Sequence, residues 1–230
     1  MNRLKSLHAI TQDLPHRSHV EQATMACEAG ARWVQLRAKG LEVADYAELA
    51  REVVAATRPF GAVVIVNDQP EVAALAGAHG VHLGKEDASP AEARRIVGAG
   101  RIIGVTVNGD DDLERIERIT TGCDTTRVDY AGVGPFRATT TKPRHAPPIG
   151  LAGIARLIER ARPLNLPMVA IGGITPRDCH GLIAAGTRGV AVASAINEAA
   201  NPQAAVRSFL HALGSLEPIA MPLELERGAR

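Results

Sequence analysis

Ala62-Val-Val-Ile-Val-Asn-Asp68 and Gly80-Val-His-Leu-Gly-Lys-Glu-Asp87 decide the fold. Each is a short apolar run that ends in an acid. Between them Gln69 to His79 has the length of a helix. In a strand–helix–strand unit the two strands are parallel, so both C-terminal ends emerge at one edge of the sheet. Asp68 and Asp87 therefore face a common point, with Asn67 and Lys85 beside them. Two carboxylates so placed suit one divalent cation, which predicts Mg²⁺-dependent chemistry on a phosphorylated ligand.

The same alternation runs outward in both directions. Strands are predicted at Leu7–Thr11, Trp33–Arg37, Val63–Asn67, Gly80–Leu83, Ile102–Thr106, Tyr130–Gly134, Met168–Gly172 and Val190–Ser194. Helical patterns include Val43–Thr57, Pro90–Val97, Leu151–Ala161 and Pro202–Leu213, the second and fourth opening on a cap residue followed by proline. A frame recurs in Ala29-Gly30-x-x-Trp-Val-Gln-Leu-Arg37, Ala76-Gly77-x-x-Gly-Val-His-Leu-Gly84 and Ala185-Gly186-x-x-Gly-Val-Ala-Val-Ala193. Each glycine is expected to close a helix in a left-handed cap before the next strand. Eight αβ units without a hairpin signal predict an α/β fold, a single (β/α)₈ TIM barrel over residues 1–214. The tail, 215–230, contains prolines and is expected to be loosely ordered.

Composition agrees and excludes other classes. The chain has 230 residues, with 46% hydrophobic and only 3% aromatic, so its core must be aliphatic, as in strands buried on both faces. Net charge is +1, and no Lys/Arg block points to nucleic acid or a membrane surface. The three cysteines, Cys27, Cys123 and Cys179, form no CxxC and no disulfide framework. No signal-type or spanning apolar run is present, so a cytoplasmic location is expected. Homo-oligomerisation is left open.

A barrel places its site at the C-terminal edge of the strands, and polar residues collect there. Strand two ends Gln35-Leu36-Arg37-Ala38-Lys39, and alternation puts Gln35, Arg37 and Lys39 on one side. Such a group can clamp a pyrophosphate. The longest loop, Gly134 to Gly150, carries Arg137, Thr139, Thr140, Thr141 and Lys142. Strand seven ends Ile171-Gly-Gly-Ile-Thr175 and strand eight Ala193-Ser-Ala-Ile196, where small residues let backbone N–H groups approach a phosphate. Two anion stations suit two phosphorylated substrates or one bisphosphate. Plainer readings stand beside each. Asp68 and Asp87 could be helix caps before Pro70 and Ser89-Pro90, Arg37 and Lys39 a solvated strand exit, and Gly172 and Gly173 close strand–helix packing.

In this order the segments resemble the thiamine-phosphate synthase family, from roughly Ile10 to Leu213. The pieces are Gln35 to Lys39, Val66-Asn-Asp68, Gly80 to Asp87, Gly104-Val-Thr106, Gly134-Pro with Thr139 to Lys142, Ile171 to Thr175 and Ala193 to Ile196. The resemblance implies a (β/α)₈ transferase. It joins hydroxymethylpyrimidine pyrophosphate to thiazole phosphate or its carboxylate and needs Mg²⁺. It further implies that Gln35, Leu36, Arg37, Ala38, Lys39, Asn67 and Lys142 hold the pyrophosphate, with Arg37, Lys39 and Lys142 catalytic. Asp68 and Asp87 would bind Mg²⁺, and Thr106 would stand near the pyrimidine. Thr139, Thr140, Thr141, Gly173, Ala193 and Ser194 would receive the thiazole phosphate.

Three departures from the family pattern stand out. Val107-Asn108 replace a small residue and histidine, Arg137 takes an aromatic position, and Lys85 replaces a frequent glutamine. Arg137 is expected to add a cation to the pyrophosphate site rather than to pair with an acid. The alternatives are a thiazole tautomerase-like isomerase, a non-catalytic phosphate-binding homologue and a phosphosugar isomerase or aldolase barrel. The first lacks its histidine here and the last its strand lysine. His82 reads as a packed or barrel-lining residue and Trp33 as structural, and Asp110 to Asp112 with Glu114 to Arg118 as an acidic helix start with solvated i,i+3 pairs.

Overall fold

The computed structural model describes residues 4–121, 126–138 and 146–214. Eight parallel strands pair in chain order and close when β8 meets β1. They are β1 (Leu7–Ile10), β2 (Trp33–Leu36), β3 (Val63–Asn67), β4 (Gly80–Leu83), β5 (Ile102–Val107), β6 (Tyr130–Val133), β7 (Met168–Ile171) and β8 (Gly189–Val192). The helices are α1 (His19–Glu28), α2 (Val43–Thr57), α3 (Pro70–Leu75), α4 (Pro90–Val97), α5 (Asp110–Thr121), α6 (Gly150–Ala161), α7 (Cys179–Ala184), α8 (Ser194–Asn197) and α9 (Pro202–Gly214). The closed α/β barrel read from the sequence is therefore present.

Several strands stop sooner than predicted, because at the site edge the backbone leaves the ladder. Arg37 N–H turns to the Thr11 hydroxyl at 3.1 Å, and Ser194 already opens α8. Helix α3 is shorter than the Gln69–His79 stretch, since the chain leaves it at Gly77 with φ +66°. Ser89 caps α4 with a reciprocal Ser89–Glu92 box, which rules out Asp87 as that cap.

Period-two alternation sorts the strand residues into two cores. Leu7, Val34, Leu36, Val64, Val66, Val81, Ile103, Val105, Ala131, Val133, Ala170 and Val190 face the helices and form the larger one. Ile10, Trp33, Ile65, Ile102, Tyr130, Val169 and Ala191 point inward and fill the barrel. The outer shell is mostly aliphatic, with Tyr46 and Phe209 buried in it. At the centre His8 stacks on Trp33 with ring centroids 4.2 Å apart, and Tyr130 stands edge-on to both. Burial, then the charge of nearby His82, lowers the His8 pKa to about 3, so its ring is neutral packing.

The three glycines of the repeat all have positive φ, with Gly30 at +110°, Gly77 at +66° and Gly186 at +102°. They differ in what a methyl group would meet. A Cβ on Gly77 meets nothing within 4 Å, whereas one on Gly186 lies 3.0 Å from Ile158. Gly77→Ala should cost about 1 kcal/mol, the strain of a left-handed alanine. Gly186→Ala should cost about 2–3 kcal/mol, since crowding adds to strain. Urea titrations of both variants check the order.

Candidate active site

One cavity of about 820 Å³ opens at the C-terminal edge of the strands. Its floor continues the inward-facing rows: Ile10, Gln35, Asn67, His82, Thr106, Gly132, Ile171 and Ala191. Alternation along each strand thus carries an apolar barrel centre into a polar mouth. Gln35, Arg37 and Lys39 line it together, as predicted. Leu36 and Ala38 do not. They point to the helices and belong to the outer core, and the Leu36 carbonyl accepts from Tyr46 Oη at 2.8 Å. The alternation that brings their neighbours in turns these two side chains away, so what Leu36 and Ala38 could offer a ligand is backbone. Tyr46 Oη also reaches the Asn67 carbonyl at 3.4 Å, so α2 ties the ends of β2 and β3.

At this wall Lys39 pairs with Asp68. Asp68 is no helix cap: Gln69 is the N-cap of α3, and Asp68 itself has φ +68°. A non-glycine residue in that region costs energy and is held by its surroundings. Here Asp68 N–H donates to the His82 carbonyl at 2.8 Å. Its carboxyl is hydrogen-bonded to that of Asp87, whose Oδ2 accepts from Gly84 N–H at 2.6 Å. Burial, then the adjacent Asp68, pushes the Asp87 carboxyl up to about 6. Burial acts the same way on Asp68, but Lys39, Asp87 and His82 outweigh it and hold that carboxyl below its usual range. Two carboxyls so close cannot both carry full charge without a cation between them. Their oxygen donors fit Mg²⁺, which takes one or two protein carboxylates and completes its shell with substrate phosphates and water. Lys85, expected beside them, instead bonds Asp112 at 2.8 Å. The Arg37 guanidinium lines the cavity and makes no ion pair among the described residues.

The floor contains a relay. His82 Nδ1 lies 3.0 Å from Tyr130 Oη, and its Nε2 lies 3.2 Å from Thr106 Oγ1. Tyr130 is fully buried, and burial pushes its hydroxyl pKa far up, so it keeps its proton. A hydrogen on His82 Nε2 points at Thr106 Oγ1 and leaves the Thr106 hydroxyl proton to donate elsewhere, toward the cavity that Thr106 lines.

The opposite wall is built from β7 and β8. Gly173, Ala193 and Ser194 all line the cavity. The glycines pack not against a helix but against the chain after β6. A Cβ on Gly173 would lie 2.9 Å from both the Ala138 carbonyl and Arg137, and Arg137 N–H donates to Gly172 at 3.0 Å. Arg137 itself is spent on an acid. Its guanidinium forms two bonds of 2.6 Å with Asp178 and lies over the Phe136 ring. The expectation that it joins the pyrophosphate cations is corrected: this bidentate pair, at the foot of the β7 connection, satisfies it.

Asp178 also accepts from Thr175 N–H, and Arg137 first among these partners lowers its pKa from 3.8 to about 2. A carboxyl depressed on folding stabilises above its unfolded pKa, and that contribution is lost as pH falls through the folded value. Asp178→Asn should therefore lower the melting temperature at pH 7. The difference from the native chain should shrink from pH 4 downward and vanish only below pH 2, which a melting series reads directly.

Thr139, Thr140, Thr141 and Lys142 lie outside the described residues, as does the tail after Gly214. The structure adds residues that the sequence reading missed. Glu198 lines the cavity one helical turn after Ser194, and Gln12 Nε2 donates to it at 2.7 Å. Asn108, marked in the sequence as a departure from the family pattern but given no role, lines it as well. For Glu198 only its spacing of four residues from Ser194 could have signalled it. Among the described residues no group of three or more His, Cys, Asp or Glu forms a metal cluster, and no helix is long and apolar enough to cross a membrane.

Comparison with known proteins converges on one family. A family model described as thiamine monophosphate synthase matches residues 7–196. The thiamine-phosphate synthase of Laribacter hongkongensis is 42% identical over 190 residues, 83% of this chain and 84% of that protein. That of Bacteroides thetaiotaomicron is 35% identical over 208 residues, 90% of this chain and 96% of that protein. Among solved structures, thiamine phosphate pyrophosphorylase from Pyrococcus furiosus superposes with a TM-score of 0.77 at 29% identity, covering 91% of this chain and 96% of its own. A 3-hexulose-6-phosphate synthase, at 19% identity and TM-score 0.70, shares the fold. On this evidence of sequence and structure the chain belongs to the thiamine monophosphate synthase family, transferases that form thiamine phosphate.

Proposed function

We propose that the chain couples hydroxymethylpyrimidine pyrophosphate with thiazole phosphate, or its carboxylate, in one Mg²⁺-dependent displacement that releases pyrophosphate. The observation that carries the reading is the division of the cavity. Arg37, Lys39 and Asp68 stand on the β2–β4 wall, with Asp87 set beside Asp68 behind the lining, and the small residues Gly172, Gly173, Ala193 and Ser194 stand on the β7–β8 wall. A single small phosphate needs no such separation, whereas a leaving pyrophosphate and a phosphorylated nucleophile do.

The bond from the methylene carbon to the pyrophosphate oxygen breaks, and the thiazole nitrogen forms its bond to that carbon. The amino group of the pyrimidine spreads the positive charge that develops between the two events. Arg37 and Lys39 face the departing pyrophosphate and stabilise its charge. Asn67 adds an amide donor, and Lys142 a further cation by family motif. Asp68 and Asp87 would hold Mg²⁺, which supplies charge neutralisation to the leaving group. Thr106, held by His82, orients the pyrimidine. Gly173, Ala193 and Ser194, with Thr139 to Thr141, receive the thiazole phosphate and place its ring nitrogen near the reacting carbon. The apolar barrel centre beneath keeps water from the cation. No side-chain nucleophile is required.

Inhibition by inorganic pyrophosphate tests the division. It should compete with the pyrimidine substrate and not with thiazole phosphate. Competition with thiazole phosphate would reverse the walls and sink this assignment.

A further inference from the structure

Two of the positions at which the chain departs from its family pattern, Lys85 and Asn108, meet through one buried acid. Asp112, in the acidic first turn of α5, is only 5% exposed. Lys85 Nζ lies 2.8 Å from its Oδ2. The same oxygen accepts from Asn108 N–H at 2.7 Å and from Gly109 N–H at 3.1 Å. Asn108 Nδ2 then donates to the Gly134 carbonyl at 2.5 Å. These bonds fix both the backbone and the amide plane of Asn108.

With Nδ2 committed to Gly134, the amide has an acceptor left to offer. Oδ1 takes no hydrogen bond among the described residues, and Asn108 lines the cavity two residues beyond Thr106 on the inward row of β5. Thr106 offers a donor when His82 donates to its oxygen. The β5 wall thus presents a donor and an acceptor as neighbours. An aminopyrimidine edge is the complement, a ring nitrogen that accepts beside an exocyclic amine that donates.

We propose that Asn108 is a specificity-determining residue of the pyrimidine subsite, with Oδ1 accepting a hydrogen bond from the exocyclic amine. The proposal rests on the functional reading above. A rigid, pre-oriented acceptor loses little entropy on binding and leaves an unpaired polar group when the amine is missing. As the leaving group departs, the amine grows more positive and the bond strengthens, so it contributes to rate as well as binding.

Calorimetric titration in Mg²⁺ separates this role from that of a simple strut for the chain after β6. The ligands are the pyrimidine pyrophosphate, its analogue with hydrogen in place of the amine, and inorganic pyrophosphate. The native chain should bind the analogue about tenfold more weakly than the pyrimidine pyrophosphate. Asn108→Ala should remove that preference and leave inorganic pyrophosphate binding unchanged, with its melting temperature showing that it folds. Equal weakening of all three ligands, or a preference for the amine that survives in Asn108→Ala, overturns the proposal. So does a native chain that binds the analogue as tightly as the amine, a result that needs no variant. A native chain that binds the pyrimidine no better than inorganic pyrophosphate overturns the functional reading itself, and this proposal with it.

Discussion

Asp68→Asn should lower kcat/KM for thiamine phosphate formation by roughly 10²–10³-fold, the size found when one preorganised charge-stabilising group is removed from a transition state. Asparagine is the informative replacement. It tolerates the φ of +68° that Asp68 adopts, so the backbone and the N–H bond to His82 persist while the negative charge goes. Two effects then act together. Lys39 loses the carboxylate that holds it at the cavity wall, and Asp87 loses the partner with which it would share Mg²⁺. The Mg²⁺ concentration for half-maximal rate should rise, and the KM for thiazole phosphate should change little. Since the two acids act as one unit, adding Asp87→Asn should cost far less than it does alone. An unchanged rate with an unchanged Mg²⁺ dependence would remove Asp68 from the site.

The second large effect is on the barrel. A Cβ on Gly104 would lie 2.3 Å from the Tyr130 ring, inside a core where Tyr130 is 2% exposed and wedged edge-on against His8 and Trp33. The ring cannot retreat, because those neighbours fill the centre. Gly104→Ala should destabilise by about 3 kcal/mol, the upper range for overpacking. It should lower the melting temperature by roughly 6–12 °C at this chain length. The entropic gain of about 0.4–1 kcal/mol from losing a glycine is too small to offset it. Gly100→Ala is the control, because a Cβ there meets nothing within 4 Å. Tyr130 also holds His82, so Gly104→Ala should weaken pyrimidine binding even at temperatures where the variant is folded.

What was legible in the sequence follows from local rules. Short β-branched runs, glycine caps and alternation give the strands, and closure follows from their number. Alternation also put Gln35, Arg37 and Lys39 on one wall, and the acids at adjacent strand ends meet as expected. What escaped depends on contacts across the barrel. Nothing near Arg137 in the chain announces Asp178, nor does the run Asp110 to Asp112 reveal that its third acid is buried under Asn108 and Lys85. Leu36 and Ala38 were named with the segment that carries them. A motif match carries whole segments, whereas the pleat turns alternate side chains away. The stack of His8, Trp33 and Tyr130 at the centre was hidden because three residues from three different strands meet only once the barrel closes.

The most direct test is incubation of the purified chain with hydroxymethylpyrimidine pyrophosphate and thiazole phosphate, with Mg²⁺ or with EDTA, following both products. The account predicts thiamine phosphate and pyrophosphate in equal amounts with Mg²⁺ and neither with EDTA. Pyrophosphate released without thiamine phosphate, or coupling that EDTA leaves untouched, would contradict it.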